Sequence, residues 1–390
     1  MSNFNNLLII TNNFTSSNDE YIGDIFVKEQ LKYIKNFFNN IYVICPVPYG
    51  LEILRKTKHV DYNFDNVQIF YPKYVNFPLF YFYFRKFWID LENKAILNFI
   101  NRNHLNFDII HAHYTWPCGA VASELKRILK IPLVITEHTS ISLNKAIREK
   151  DPIWIKAWQD SDEIIRVTSH DISNFEQVGI NLLKIHYIPN GYNSKTFHPL
   201  DKISCRQKLG LPLDKKILLN VALLYSEVKG HKYFIESIAK IIKFRKDILA
   251  VIVGSGKLES TIKKQIENLG IQEYVLLVGG KPHHEIPLWM NACDLFVLPS
   301  LNEGNPTVLF ECLGCGKPFV GTKVGGVPNV IISEEYGLLV EPCNPKDLSE
   351  KILKALNKDW DQEIILAYAE QYSWENVAKK IIDIYKQIGE

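Results

Sequence analysis

Short apolar runs alternate with amphipathic stretches of helix length along most of the chain. Residues 7–10, 41–45, 107–111, 133–136 and 164–168 are nearly unbroken apolar runs. Runs of that length predict strands buried on both faces, as in parallel sheets covered by helices. Between them, residues 25–38 and 119–129 repeat apolar positions at helical spacing, which predicts successive βαβ units. The rhythm restarts after Pro199, with predicted strands at 217–223, 249–253, 275–278, 295–298 and 318–321. The pattern therefore predicts an α/β protein with two doubly wound sheets. The boundary falls in 188–201, where Pro189, Asn190, Gly191, Asn193, Ser194 and Pro199 cluster. The expected domains are 1–198 and 199–373. Beyond Ser373, Val377, Ile381, Ile382 and Tyr385 keep helical spacing, and this last helix, 374–390, is expected to pack back on the first domain.

Composition narrows the functional classes. At 390 residues, 47% hydrophobic and 23% charged, the sequence is that of a globular protein too long for one domain of about 150 residues. Its longest nearly apolar run, 75–84, covers 10 residues against the roughly 20 of a membrane helix. The apolar stretch 7–10 follows no basic segment, unlike a signal peptide. A net charge of +2 gives nucleic acid little counter-charge. Seven scattered cysteines, an odd number, argue against a disulfide framework and for a reducing compartment. A cytoplasmic protein is expected.

The richest stretch chemically is Pro299-Ser300-Leu301-Asn302-Glu303-Gly304-Asn305-Pro306-Thr307-Val308-Leu309-Phe310-Glu311. It follows the predicted strand 295–298, at the carboxyl end of a parallel sheet, where open α/β sheets bind ligands. Asn305 then Pro306 predicts a helix N-cap followed by the first helical residue. The free amides of Thr307 and Val308 would then suit an anion such as a diphosphate. Thr307 and Glu311, four apart, share one helix face, with Gly314 leaving room below them. Glu303 stays on the loop, so two carboxylates can bind two sets of hydroxyls. A surface turn before a solvated helix is the alternative.

Glu303 and Glu311 bracket seven residues, and this E-x7-E spacing resembles the signature of the retaining glycosyltransferases of family 4. Asp294-Leu295-Phe296-Val297-Leu298-Pro299-Ser300, Gly316-Lys317-Pro318-Phe319-Val320, Gly325-Gly326-Val327-Pro328 and Gly337-Leu338-Leu339-Val340 look like family segments in the same order. Upstream, Lys229-Gly230-His231 resembles the family's donor-phosphate lysine, and Val253-Gly254-Ser255-Gly256 its glycine turn. The resemblance is dense over the second half of the chain and sparse over the first. It implies the GT-B architecture, two Rossmann-like domains with an interdomain cleft, the first binding the acceptor and the second the nucleotide sugar. It assigns Lys229 to the leaving diphosphate, Glu311 to the ribose hydroxyls and Glu303 to the donor sugar. The backbone of Gly304, Asn305 and Thr307 would line sugar and phosphates, and Gly279-Gly280-Lys281-Pro282 would lie under the nucleobase. In the first half it places His113, within His111-Ala112-His113-Tyr114, beside the donor sugar. It also gives His138 and Gly23 places in the substrate site. Buried histidines satisfied by their neighbours are the alternative for His113 and His138. The arginine usual in the family a few residues before the lysine is absent, since Leu223 and Leu224 stand there.

The implied activity is transfer, with retention, of a hexose-type sugar from a nucleotide diphosphate to an acceptor hydroxyl, with no cofactor and no metal. His-Ala-His-Tyr together with a broad aromatic tract resembles the branch serving bacterial envelope polysaccharides, which implies a polyprenyl-diphosphate-linked acceptor at the cytoplasmic membrane face. An NDP-sugar epimerase and a non-catalytic nucleotide-binding subunit of the same architecture are the rivals. The tract itself, 74–88, holds nine aromatic residues with Arg85 and Lys86 among them. Phe80, Phe84, Phe87, Trp88 and Leu91 have the spacing of a helix on the core, whereas aromatics beside cations suit a lipid headgroup layer. Three lookalikes are set aside. Cys312 and Cys315 lack a second pair at zinc spacing, and residues 254–257 fit neither the Walker nor the dinucleotide pattern. Asp160-Ser161-Asp162 and Asp359-Trp360-Asp361 imitate a metal-binding DxD but fall at a strand start and in a charged turn.

Overall fold

A computed structural model of the chain describes residues 4–17, 23–49 and 59–389. The chain divides into two compact units, Met1–Pro189 with Val377–Glu390, and Asn190–Asn376. Among the described residues, the first unit carries β1 (Asn6–Ile10), β2 (Asn40–Ile44), β3 (Val47–Pro48), β4 (Tyr62–Phe64) and β5 (Val67–Phe70). It continues with β6 (Lys73–Tyr74), β7 (Ile109–His113), β8 (Leu133–Glu137), β9 (Glu163–Arg166) and β10 (Ile185–Tyr187). Eight of them form one sheet in the order β10-β9-β8-β7-β1-β2-β5-β4, while β3 and β6 pair separately. Within the large sheet only the edge pair β4 and β5 is antiparallel. Counted outward from β1, the strand order reverses between β1 and β7. The carboxyl ends of these two strands thus form a topological switch point, the place where doubly wound sheets open a crevice.

The second unit holds β11 (Lys216–Val221), β12 (Ile248–Val253), β13 (Val275–Gly279), β14 (Leu295–Leu298), β15 (Phe319–Thr322) and β16 (Gly337–Val340). All pairs are parallel, in the order β13-β12-β11-β14-β15-β16. Renumbered from β11, that is the 3-2-1-4-5-6 order of dinucleotide-binding sheets, with its switch point between β11 and β14. Alternate residues of these strands feed opposite cores. Leu218, Ala250 and Val297 pack with Phe234, Ile235 and Ile238 of the helix His231–Ile241. Leu219, Phe296 and Leu298 pack with Leu309, Phe310 and Leu313 of the helix Thr307–Gly314. Burial on both faces is why these strands read as unbroken apolar runs.

The strands expected from the sequence are present, with ends displaced by at most two residues. The expected strand 107–111 runs two residues later, as Ile109–His113, because the histidine it gains, His113, finds a polar partner in His138 inside the sheet. The sequence pattern does not predict β5 or the edge strand β4 beyond it; each is short and borders a turn at Asp65, whose φ is +50°. The crossing between units lies at Pro189/Asn190 rather than 198/199, because Tyr192 and Phe197 are buried in the second core. The return crossing lies at Asn376/Val377. There the Tyr192 amide donates to the Tyr372 carbonyl at 3.0 Å and the Trp374 amide to the Tyr192 carbonyl at 2.9 Å. From Val377 the terminal helix Trp374–Gly389 belongs to the first unit, where the buried Tyr385 hydroxyl sits 2.5 Å from His111 Nδ1.

Candidate functional site

In the second unit, the loops leaving β11 and β14 face each other across the switch point. Lys229 ends a short helical turn, Glu227–Lys229, opened by the Ser226 hydroxyl accepting the Val228 amide. Gly230 then takes φ +68°, and a Cβ there would lie 1.8 Å from the Pro299 carbonyl oxygen. Only glycine fits, so the lysine turn sits directly on the loop after β14. The Leu301 amide donating to the Val228 carbonyl at 2.7 Å closes the same contact. Lys229 Nζ consequently lies 2.8 and 3.0 Å from the two carboxylate oxygens of Glu303, and the Ser300 hydroxyl donates to Oε1 at 2.6 Å. Glu303 is 6% exposed, whereas the lysine side chain is 33% exposed. Behind the carboxylate, Gly325 at φ +54° comes so close that a Cβ would meet the Glu303 carbonyl at 1.8 Å. The Gly326 amide donates to the Gly304 carbonyl at 2.7 Å, so backbone contacts fix the loop from below.

Three details of the helix entry differ from the sequence expectation. Pro306, not Asn305, is the N-cap, and no side chain caps the helix Thr307–Gly314. Asn305 instead grips Asn190: its Oδ1 accepts the Asn190 amide at 2.7 Å and its carbonyl accepts the Asn190 side chain at 3.0 Å. That double bond satisfies a buried backbone group at the start of the unit, which outweighs capping an end that faces a crevice. The room over Gly314 is filled by the Tyr192 ring, 2.2 Å from where a Cβ would be. Thr307 is half-buried and Glu311 buried, and Glu311 Oε1 lies 2.8 Å from His283 Nε2. Gly279, at φ +74°, faces open space, and Gly280 lies against the Ser255 hydroxyl. Where the family arginine would stand, Leu223 is exposed and Leu224 is sunk in the core, so neither position offers a cation. His231, next after Gly230, is buried with both ring nitrogens unpartnered. Burial, then the Lys229 charge, push its pKa down to about 4, which keeps the ring neutral.

The first unit builds a different arrangement. His113 ends β7, fully buried, its ring stacked between His111 at 4.6 Å and His138 at 5.3 Å. His113 Nδ1 lies 3.0 Å from His138 Nε2, and His111 Nε2 lies 2.7 Å from the Thr136 hydroxyl. Burial pushes the pKa of His113 down to about 3 and those of His111 and His138 also down, so all three rings are neutral. Two nitrogens of the stack, His113 Nε2 and His138 Nδ1, are buried without a partner. The histidines are thus only partly satisfied by their neighbours. Gly23 is close-packed, since a Cβ would stand 2.9 Å from the Asn13 carbonyl; Asp19 to Ile22 beside it lie outside the described residues. The next residue, Asp24, receives the Tyr114 hydroxyl at 2.9 Å and the Thr11 hydroxyl at 3.3 Å, and burial raises its pKa to about 6.

The sequence reading assigns no site role to several of these groups: Ser300, His283, Asn190, Tyr192 and Asp24. Of them only Asp24, a lone carboxylate straight after the first βα glycine, carried a local signal. The aromatic tract divides between both readings. Tyr74 and Trp88 are buried, while Phe77, Leu79, Phe82, Tyr83, Phe84 and Phe87 are each at least 49% exposed. The expected core face therefore loses Phe84 and Phe87, because the tract breaks into two helices, Pro78–Phe82 and Arg85–Arg102. The DxD imitations are engaged in packing: Asp162 accepts the Leu133 amide at 2.7 Å and Asp361 caps the helix Gln362–Ala369. Among the described residues no helix is long and apolar enough to cross a membrane.

Residues 201–373 match the family model described as glycosyl transferases group 1, and residues 31–195 the model of glycosyltransferase family 4. The putative teichuronic acid biosynthesis glycosyltransferase TuaC of Bacillus subtilis is 28% identical over 92% of this chain and 91% of its own. A D-inositol 3-phosphate glycosyltransferase of Corynebacterium urealyticum is 27% identical over 75% of this chain and 74% of its own. Among solved structures, sucrose-phosphate synthase from Thermosynechococcus elongatus superposes with a TM-score of 0.78 at 18% identity, covering 98% of this chain and 99% of that one. Anabaena HepE in complex with UDP gives 0.73 at 19% identity, over 98% and 100%. Two family models laid end to end, on two doubly wound sheets, make the chain a member of the family 4 glycosyltransferases, with the GT-B fold.

Proposed function

We propose that the chain transfers a hexose-type sugar from a nucleotide diphosphate to a hydroxyl of a lipid-linked saccharide in envelope polysaccharide synthesis, with retention of anomeric configuration. The observation that carries the reading is the triad Lys229, Glu303 and Ser300 at the β11/β14 switch point. Lys229 is the cation that meets the departing diphosphate, and binding the donor moves it from Glu303 onto phosphate. Glu303, released from the lysine but still held by Ser300, then accepts donor-sugar hydroxyls, while Glu311 takes the ribose. The C1–oxygen bond to the diphosphate breaks as the acceptor oxygen bonds C1 on the same face. The acceptor proton passes to the departing phosphate oxygen, so no side-chain base is needed. Positioning and fixed charge supply the rate enhancement, without metal. A nucleotide diphosphate sugar as donor is supported by HepE, whose structures hold UDP and UDP-glucose. TuaC supports the envelope role, and the exposed aromatics of 77–87 support an acceptor presented at the cytoplasmic membrane face. Glu303→Ala and Lys229→Ala should each cost at least about 100-fold in transfer, the scale of losing one preorganised charge partner. Full-rate turnover by both folded variants would refute the assignment. A thermal-shift series with nucleotide sugars identifies the donor, since a ligand at 100 times its Kd stabilises by about 2.7 kcal/mol.

A further inference from the structure

The first unit has a switch point of its own, and it is hollow. A cavity of about 500 Å3 opens where β1 and β7 end, within the size range of about 300–1,000 Å3 usual for small-molecule sites. Its polar side is Asp24 with Asn13 and Tyr114; its apolar side is Tyr81, Trp116 and Trp154. We propose that this cavity is a subsite for one uncharged pyranose ring of the acceptor, stacked on Trp116 and Tyr81 with hydroxyls donated to Asp24. The name acceptor rests on the transferase reading above; the ligand class does not.

Three observations select that class. The aromatic wall is rigid before any ligand arrives. Tyr81 meets Trp88 at 5.1 Å and Trp116 at 5.4 Å, both edge-on, and Trp154 meets Trp158 at 5.6 Å. The Arg85 guanidinium lies 5.2 Å from the Trp116 ring centre and is anchored to Asp151 at 2.6 Å. Such flat, fixed surfaces suit the C–H face of a sugar ring. Next, the two carboxylates divide their work. Glu137 accepts the amides of Thr115 and Thr139 and the Thr139 hydroxyl, all at 2.8 Å or less, so it holds the loop after β8. Asp24 accepts from the Tyr114 hydroxyl, from the Thr11 hydroxyl at a long 3.3 Å and from the Asn13 side chain, and a carboxylate can accept about four bonds, which leaves room for one hydroxyl of a ligand. Finally, no Lys, Arg or His is among the described residues lining the cavity. With the nearby Arg85 already paired to Asp151, the two acids repel phosphorylated or uronic rings and admit neutral ones.

The test uses the full chain and methyl glycosides of glucose, galactose, mannose and N-acetylglucosamine. Methyl glucuronide, D-inositol 3-phosphate and octanol are the counter-probes, and binding is read by saturation-transfer NMR and tryptophan fluorescence. At least one neutral glycoside should bind. Asp24→Asn and Trp116→Ala should each weaken it about tenfold, while Trp116→Phe keeps most of the affinity. If Trp116→Ala does not fold, the other two variants decide. Tighter binding of the anionic probes, entry of octanol alone, or glycoside binding untouched by Asp24→Asn would overturn the subsite. A nucleotide-sugar thermal shift on the same samples separates the readings. A shift with no glycoside bound removes the subsite only; a bound glycoside with no shift by any nucleotide sugar removes the transferase reading only.

Discussion

The two switch points share a topology and differ in chemistry. In the second unit the crevice holds an ion pair, Lys229 with Glu303, and a second carboxylate, Glu311, in contact with the His283 ring. In the first unit the side chains are mostly neutral: three stacked histidines at the ends of β7 and β8, and a cavity where phenols and indoles stand beside two carboxylates, Asp24 and Glu137. A diphosphate leaving group needs a cation held in place, and a cation needs an anion to rest on while the site is empty. A neutral hydroxyl-bearing partner needs shape and hydrogen-bond acceptors instead. On the function proposed above, the same strand geometry serves opposite electrostatic tasks, and each half can be broken separately.

The largest expected effect comes from Gly230→Ala. The new methyl group would occupy the Pro299 carbonyl in a backbone conformation that alanine avoids, so the lysine turn must lift off the loop after β14. Displacing a charge partner by about 1 Å costs on the order of 100-fold in rate. Transfer should fall at least that far, with Lys229 and every carboxylate still present. Alanine at Gly179, which also has positive φ but open space around it, should cost little in transfer. Equal losses at the two glycines would mean that backbone strain, not the meeting of loops, governs activity.

The next effect distinguishes the units by pH. His113 has its folded pKa pushed down to about 3 and its neighbours also down, against an ordinary value near 6.5. At pH 7 folded and unfolded histidines are both neutral. As pH falls below about 6.5, the unfolded rings take protons that the folded ones refuse, so stability drains away. His113 alone removes about 2 kcal/mol by pH 5, from 1.5 pH decades at 1.36 kcal/mol each. In the second unit His231 is shifted the same way, without a stack around it among the described residues. In calorimetry of the full chain, the transition assigned to the first unit should therefore drop faster between pH 7 and 5, and His113→Gln should flatten it. Parallel acid shifts of both transitions would erase the contrast.

How much of this was legible follows the same division. The doubly wound architecture was readable because each doubly buried strand must be apolar along its length, as in Leu7–Ile10 and Leu295–Leu298. The second site was readable because small, charged and turn-forming residues at fixed spacing leave a linear trace: Lys229-Gly230, then Glu303 and Glu311. What escaped there depends on contacts far apart in sequence. Asn305 looked like a cap until Asn190, 115 residues away, claimed it, and the space over Gly314 belonged to Tyr192. The subsite proposed in the first unit left almost no trace, since its indoles and phenols are the residue types that also fill cores. Tyr81 and Trp116 become one wall only once the helix Pro78–Phe82 is placed beside the loop after β7.

Asp24→Asn gives the smallest effect in stability and the sharpest in meaning. Burial raises this carboxyl from 3.8 to about 6, so the folded state holds its proton more tightly than the unfolded chain. That preference stabilises the protein fully below pH 3.8 and is lost as pH climbs through about 6, opposite in sign to the histidine stack. At neutral pH the folded chain keeps a desolvated charge whose cost is at most about 3 kcal/mol, from roughly two pKa decades. Asparagine cannot ionise, and its oxygen still accepts from Tyr114. The variant should therefore gain on wild type by up to about 3 kcal/mol as pH rises from 4 to 7. After one weakened hydrogen bond it should be about 1–2 kcal/mol more stable than wild type at pH 7. Its Tm measured across that interval checks the sign. A carboxylate kept at such a cost, facing an open cavity, is what a binding role looks like in a stability measurement. If the variant is less stable than wild type at pH 7, Asp24 is a structural anchor for Tyr114 and Thr11, and the two switch points are not functional counterparts.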